Sequence, residues 1–348
     1  MGLYNGPNKK NEKNPRKKMK KTVAFEKNAA NLFFHILTDC NLSCRRCYIN
    51  RDQHGKDTLP IGVIESWLET FAARAQNANV IFLGGEPTLH PDLHLAVKKA
   101  RGLGFDSVTI DTNGYLFHDI LSKIQPGEAD FISFSLDGAS EKTNDRLRGK
   151  GSFEKCVAGI KKAVSKGFST SLIYTVGAEN IHELERMPKL AANLGIEKFF
   201  IQFLGVRGRA SSGKGADRQV SWRQWQDAAP KAAAESARLG IPACYPKVFL
   251  DPGEVFECAG RVAENYFVFP NKRVYRCPLC EDFPIHAMEF DGNDLKARPP
   301  VHEGDLFLLD IPEGCVMNKI ISPENLEYDR DGAPLRRVAC CMLKEEVF

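Results

Sequence analysis

Cys40, Cys44 and Cys47 bring three thiols into one short stretch, Cys-Asn-Leu-Ser-Cys-Arg-Arg-Cys. The stretch directly follows Leu32–Leu37, which reads as a β-strand, so the thiols belong to a loop at a strand end. Three thiolates so spaced can wrap one corner of an iron–sulfur cube and leave its remaining iron open to another ligand. A structural zinc ion closes with a full set of protein ligands, so zinc here would need a distant Cys or His as well.

Polar motifs recur at later strand ends. Leu83-Gly84-Gly85-Glu86-Pro87-Thr88 follows the run Val80–Leu83. Its paired glycines let backbone approach a ligand closely, and Glu86 can accept hydrogen bonds from an ammonium. Asp111-Thr112-Asn113-Gly114 and Ser135-Leu136-Asp137-Gly138 end the next two runs. Each alone is ordinary turn chemistry. Together, at successive strand ends, they define one rim.

A second group of cysteines lies late in the chain: Cys258, Cys277, Cys280, Cys315, Cys340 and Cys341. Pro270–Cys277 reads as a β-hairpin ending in a cysteine, and Cys277-Pro-Leu-Cys280 as a metal-binding knuckle. In a polar, proline-rich region these are candidate ligands of a second metal centre, an iron–sulfur cluster or structural zinc. Cys156 falls in a helical pattern and reads as a buried small hydrophobe. Cys244 is left open between core and ligand. His90 and His94, flanking Pro91, read as surface or helix-start residues.

The elements that must carry these groups alternate. The β-rich runs Leu32–Leu37, Val80–Leu83, Ser107–Asp111, Phe131–Leu136, Ser169–Val176 and Lys198–Leu204 are each followed by helical spacing. Ile64, Trp67, Leu68 and Phe71 fall on one helical face, and further helices are expected over 91–103, 152–166, 181–194 and 221–239. Six such units in series predict an α/β fold, a parallel sheet with helices outside it, curled into a partial (β/α)6 barrel. In such folds chemistry gathers at the C-terminal ends of strands, where every motif above sits. Three segments are expected: a disordered basic tail over 1–30, the barrel over 31–240, and a small Cys-rich domain over 241–348. Gly205–Gly215 reads as a mobile loop.

The Cys-x3-Cys-x2-Cys spacing, followed one β-α unit later by Gly84-Gly85-Glu86-Pro87, resembles the radical SAM superfamily from residue 31 to about 205. The resemblance implies a [4Fe–4S] cluster on Cys40, Cys44 and Cys47, with S-adenosylmethionine (SAM) chelating the open iron. Gly84, Gly85 and Glu86 would receive the SAM ammonium. Ser135 and Asp137 match positions near the ribose, Arg148 the partner of the carboxylate, and Asn180 a further SAM contact. The residue before the third cysteine is usually aromatic in the family; here it is Arg46, with Tyr48 the nearest aromatic. The C-terminal region resembles the auxiliary-cluster domains called SPASM or twitch. The full seven-cysteine SPASM pattern is absent, so one auxiliary [4Fe–4S] cluster is expected, held by Cys258, Cys277, Cys280 and one of Cys315, Cys340 and Cys341.

The implied chemistry is reductive cleavage of SAM to a 5′-deoxyadenosyl radical, fed by a reductant such as flavodoxin or ferredoxin. The substrate expected is a peptide or protein, with a small molecule as the alternative. An electron carrier would explain the cysteines but not the SAM-type motifs. Too few residues precede Cys40 for a winged-helix module that grips leader peptides. The net charge of +4 is uneven, since residues 1–21 hold eight Lys or Arg and one Glu. Without interleaved aromatics that tail reads as solvated rather than nucleic-acid-binding. No membrane span or secretory signal is legible, which predicts a cytoplasmic protein whose eleven cysteines serve metal or catalysis rather than disulfides.

Overall fold

Two periodicities in the sequence build the scaffold. Ile64, Trp67, Leu68 and Phe71 are all buried on one face of α1 (Ile61–Ala72). In the strands, alternate residues divide between a helix-covered face and an inner face. Leu32 and Phe34, Val80 and Phe82, Val108 and Ile110, Ile132 and Phe134, and Phe199 and Ile201 join the main hydrophobic core. The computed structural model describes residues 21–25, 29–75, 77–211, 219–299 and 301–348. The basic tail expected at the N-terminus lies outside these residues up to position 20, as does the 212–218 part of the loop after the sixth strand.

Strands β1 (Ala29–His35), β2 (Asn77–Leu83), β3 (Ser107–Thr112), β4 (Phe131–Ser135), β5 (Thr170–Val176) and β6 (Lys198–Phe203) pair in sequence order, all parallel. Between them run α1, α2 (Leu93–Gly102), α3 (Glu141–Arg148), α4 (Ser152–Ser165) and α5 (Met187–Leu194), with α6 (Trp222–Arg238) after β6. The fold is therefore the expected α/β arrangement around an open parallel sheet.

The sheet does not stop at six strands. β7 (Ala243–Pro246) pairs parallel to β6, so α6 completes one more crossover unit than expected. At the other edge β8 (Glu264–Val268) pairs parallel to β1 and is extended antiparallel by β9 (Arg273–Tyr275), β10 (Met288–Asp291) and β11 (Asp294–Ala297). The hairpin expected at Pro270–Cys277 is formed by β8 and β9, with Pro270 in its turn. β12 (Lys344–Val347) returns antiparallel to β7. Strands from the region beyond residue 240 thus lengthen both edges of one sheet. Among the described residues no helix is long and apolar enough to cross a membrane.

The inner face is polar where a closed core would be apolar. At its base Asn31 donates to Asn265 Oδ1 at 3.0 Å, and Asn79 donates to Asn31 Oδ1 at 3.2 Å, which ties β2, β1 and β8 together. Above that floor the face presents Ser107, Thr109, Asp111, Ser133, Ser171 and Lys198. The rim motifs stand at the opposite end, where the strands finish.

Candidate active site

The loop carrying Cys40, Cys44 and Cys47 is held by backbone from the neighbouring strand end. Gly85 N donates to Leu37 O at 3.1 Å, and Glu86 N donates to Asp39 O at 2.9 Å. A Cβ on Gly84 would lie 2.5 Å from Leu37 O, and one on Gly85 would lie 2.1 Å from Asp39 O. The close approach that these glycines permit is to the cysteine loop itself.

Glu86 is fully buried. Its Oε1 accepts from Thr88 N, Thr88 Oγ1 at 2.5 Å and Thr112 Oγ1 at 2.8 Å, while Oε2 accepts from Asn113 N at 2.7 Å. Burial pushes its carboxyl above the usual range, against these hydrogen bonds. Asn113 reaches on to the loop, donating from Nδ2 to Asn41 Oδ1 at 2.8 Å and towards Cys40 Sγ at 3.8 Å. Gly114, at φ +92°, lies so close to α4 that a Cβ there would stand 2.6 Å from Cys156 Cα. Cys156 is buried there, as expected of a core residue.

The other side of the loop rests on the end of α3. Arg45 N donates to Leu147 O at 2.8 Å, and Cys44 Sγ contacts Arg148 O at 3.7 Å. Arg148 Nε donates to Asp137 Oδ2 at 2.7 Å, and Thr175 N donates to Asp137 Oδ1 at 3.1 Å. Burial opposes the Arg148 charge, but the Asp137 carboxylate and the neighbouring thiols hold it above its ordinary value. Asn180 is wholly buried; its Nδ2 bonds Asp137 O and Thr175 O, and its Oδ1 accepts from Gly177 N and Arg46 Nη1. The amide is thereby taken up in bracing two strand ends. Ser135 stands half-buried at the end of β4. Arg46 also pairs with Glu179 at 3.2 Å and leaves its buried Nε without a partner. Burial raises the Cys40 thiol to about 11, helped by Cys44, Glu86 and Cys47, and raises Cys44 as well.

The six late cysteines converge. Cys277, Cys280, Cys315, Cys340 and Cys341 share a buried cluster with Cys47, Tyr48, Phe269 and Tyr275. Cys258 shares a hydrogen bond with Cys340, which raises the first thiol and lowers the second. A hydrogen bond with Cys280 likewise raises Cys277, while Cys277 and Cys340 both act on Cys315 and Cys341. Buried Glu303 supports the knuckle, accepting from Arg276 N at 2.5 Å and Cys277 N at 3.0 Å. Cys244 is not in this group; its thiol contacts Glu346 Oε1 at 3.3 Å on the inner face.

A strap after β6 joins the two thiol sites. Arg209 N donates to Cys47 O at 2.8 Å, and a Cβ on Gly208 would lie 2.6 Å from that same oxygen. On the opposite side Gly208 N donates to Asp282 Oδ2 at 2.7 Å. Arg207 pairs with buried Glu281, donates to Pro278 O at 2.5 Å, and lies 4.7 Å from the centre of the Tyr48 ring. The Tyr48 hydroxyl bonds His35 Nε2 at 2.9 Å.

Residues 35–191, which span the three-cysteine loop and the strand-end motifs as far as Asn180, match the Radical SAM superfamily. They form a radical SAM domain. Pre-heme d1 synthase from Dinoroseobacter shibae is 29% identical over 189 residues, covering 53% of this chain and 46% of that protein. A probable GTP 3′,8-cyclase from Saccharolobus solfataricus is 30% identical over 164 residues, covering 47% of this chain and 53% of that one. The chain thus spans about half the length of the curated relatives it matches. Among solved structures, Streptococcus suis SuiB bound to S-adenosylmethionine aligns with TM-score 0.63 and 14% identity, over 86% of this chain and 72% of that one. SuiB bound to precursor peptide SuiA aligns with TM-score 0.59. The likeness shows a shared fold, and the curated relatives are named as a synthase and a cyclase.

Among the described residues no three His, Cys, Asp or Glu side chains are gathered closely enough to hold a metal ion. The donor chemistry of the radical SAM loop nonetheless suits an iron–sulfur corner, since Cys44 and Cys47 help to raise the Cys40 thiol and Cys47 helps to raise that of Cys44. Binding iron would take these groups as thiolates and relieve that crowding. The late six offer the same thiol donors, with Cys340 already lowered by its hydrogen bond with Cys258. Asn113, Glu303 and Arg207 are the supporting residues that sequence reasoning did not single out. Asn113 stood inside a quoted motif, but its partners Glu86 and Asn41 come from two other strand ends.

Proposed function

We propose that this enzyme reductively cleaves SAM and abstracts hydrogen from a peptide or protein substrate. The observation that carries the first half is the three-thiol loop clamped by Gly84, Gly85 and Asn113 on one side and by the end of α3 on the other. When bound, the [4Fe–4S] cluster and SAM supply a 5′-deoxyadenosyl radical that removes hydrogen from an unactivated C–H bond. The chain's own residues bind and orient. Cys40, Cys44 and Cys47 ligate the cluster. Arg148, with Nε fixed by Asp137, directs its remaining N–H groups to the SAM carboxylate. Gly84, Gly85 and Glu86 shape the ammonium subsite, while Ser135 and Asp137 face the ribose; Asn180 holds that wall in register. The late cysteines hold one auxiliary cluster, with Cys258, Cys277 and Cys280 as ligands and a fourth from Cys315, Cys340 and Cys341. A cluster fully ligated by protein would serve electron removal after hydrogen abstraction.

The peptide reading is supported by the likeness to SuiB across most of the chain and by the Ser135–Phe153 run, which resembles the Ser-Leu-Asp-Gly to Gly-Ser-Phe stretch of peptide-modifying members of the superfamily. The small-molecule alternative is supported by the curated relatives, whose names denote a tetrapyrrole synthase and a nucleotide cyclase. Both are tested with anaerobically reconstituted protein, reduced with dithionite. SAM should yield 5′-deoxyadenosine, and Cys44→Ala should abolish it while the fold survives; a fully active variant refutes the central assignment. A precursor peptide should then lose the mass of two hydrogens, with one SAM consumed per event. Unchanged peptides beside a modified metabolite would replace the peptide reading.

A further inference from the structure

Lys344 opens β12, the last strand of the sheet, and no acid among the described residues stands within ion-pairing distance of its ammonium. That ammonium lies 5.5 Å from the centre of the Phe200 ring, and the Lys198 ammonium lies 5.2 Å from the centre of the same ring. The two lysines differ in one respect. Lys198 is paired with Glu346 at 3.3 Å, whereas Lys344 has the ring and no ion pair among the described residues.

Its position within the barrel follows from the sheet. Between β3 and β12 stand β4, β5, β6 and β7. At about 4.8 Å per strand a flat sheet would separate Asp111 from Lys344 by roughly 24 Å. The two nevertheless act on one another electrostatically, and Cys244, Cys341 and Lys198 also act on Lys344. The register places both residues on the inner face of the sheet, Asp111 on β3 and Lys344 on β12. Beside it the register aligns Asp111 with Ser133, Ser133 with Ser171, and Ser171 with Lys198. The hydroxyls of Ser107, Thr109 and Ser171 on this face are buried and have no hydrogen-bond partner. A partly buried ammonium with no ion pair among the described residues, on the same face as unsatisfied hydroxyls, is costly unless something polar completes the site.

We propose that Lys344, backed by Lys198, anchors an anionic group of the substrate, a carboxylate or a phosphate, against the inner face of the barrel. This deepens the reading above by giving the substrate a charge, and it rests on the barrel interior being the substrate chamber. Lys344 is a specificity residue here and takes no part in bond cleavage. Asp111 opposes the anion from across the chamber, so its charge sets how tightly the group is held.

Isothermal titration of the full reconstituted chain with inorganic phosphate and, separately, with glutarate tests this and distinguishes the two sources. Wild type should bind one of the two. Lys344→Met should weaken that binding roughly tenfold or more, the scale of one lost charge-assisted hydrogen bond, whereas Lys344→Arg should retain it. Asp111→Asn should tighten it, a direction that misfolding cannot mimic. Failure of both anions to bind wild type overturns the proposal, as does unweakened binding by Lys344→Met. If that variant does not fold, Asp111→Asn decides, and absence of tightening overturns it. Formation of 5′-deoxyadenosine by wild type is scored separately, so loss of the SAM assignment cannot be mistaken for loss of this one.

Discussion

Gly85 has no room for a methyl group, because the atom in the way is Asp39 O, part of the backbone that bears Cys40. Gly85→Ala must push the cysteine loop off its support, so we expect a destabilisation of about 2–3 kcal/mol in urea unfolding, together with reduced iron retention. An alanine variant as stable and as iron-rich as wild type would show that the clamp is not what orders the loop. Asp111 gives a second test. Burial raises its carboxyl to about 7, with Ser133 and Lys344 opposing the shift, whereas the unfolded chain titrates it near 3.8. Between these values the unfolded state has released a proton that the folded state keeps, so rising pH favours unfolding by up to about 1.4 kcal/mol per unit. Thermal unfolding from pH 4 to 8 should show wild type losing stability through this window, levelling above about 7, while Asp111→Asn flattens the loss. At this scale the sequence told the type of residue better than its partner. Glu86 stood out as an acceptor, but that its acceptors serve Thr88, Thr112 and Asn113 depends on strands brought together by the fold.

Among the elements, the six parallel strands were legible because each is a short β-rich run answered by a helical face. β7 and β12 were not, being short edge strands in which Pro246, Lys344 and Glu346 obscure the alternation. β8 is placed by its pairing with β1, far away in sequence, which no local pattern encodes. The strap is likewise invisible locally, since Arg207 reads as one basic residue in a Gly- and Ser-rich loop. Its pairing with Glu281, whose carboxyl burial raises to about 8, makes it a tie between the two thiol loops. Arg207→Met would leave that acid buried without its partner, and we expect a loss of about 3 kcal/mol in urea unfolding. Glu281→Gln in the same chain should restore part of it. A double-mutant cycle reads the coupling directly, and simple additivity of the two losses would mean that the strap is held by its backbone contacts alone.

For the whole molecule the decisive quantity is metal content, because the chain brings nine of its eleven cysteines to two places, while Cys156 belongs to the main core and Cys244 bonds Glu346. The first place has three thiols and an open side. The second has six thiols, enough to ligate a cube entirely from protein, and it is continuous with the first through Cys47, Tyr48 and Arg207. Although Cys47 packs against the second group, the two sites use separate thiols, so loading of one should not require the other to be filled. With four irons in each cube, reconstituted protein should contain roughly eight irons per chain. The Cys40/Cys44/Cys47→Ala variant should keep about four and remain brown, since every late cysteine is intact. Removing Cys277 and Cys280 instead should leave about four, held by the radical SAM loop, with 5′-deoxyadenosine formation preserved. Iron and zinc analysis with the visible spectrum distinguishes the outcomes. A colourless triple variant containing one zinc per chain would identify the second site as structural zinc, and with it the electron-removal role assigned to the late cysteines would fall.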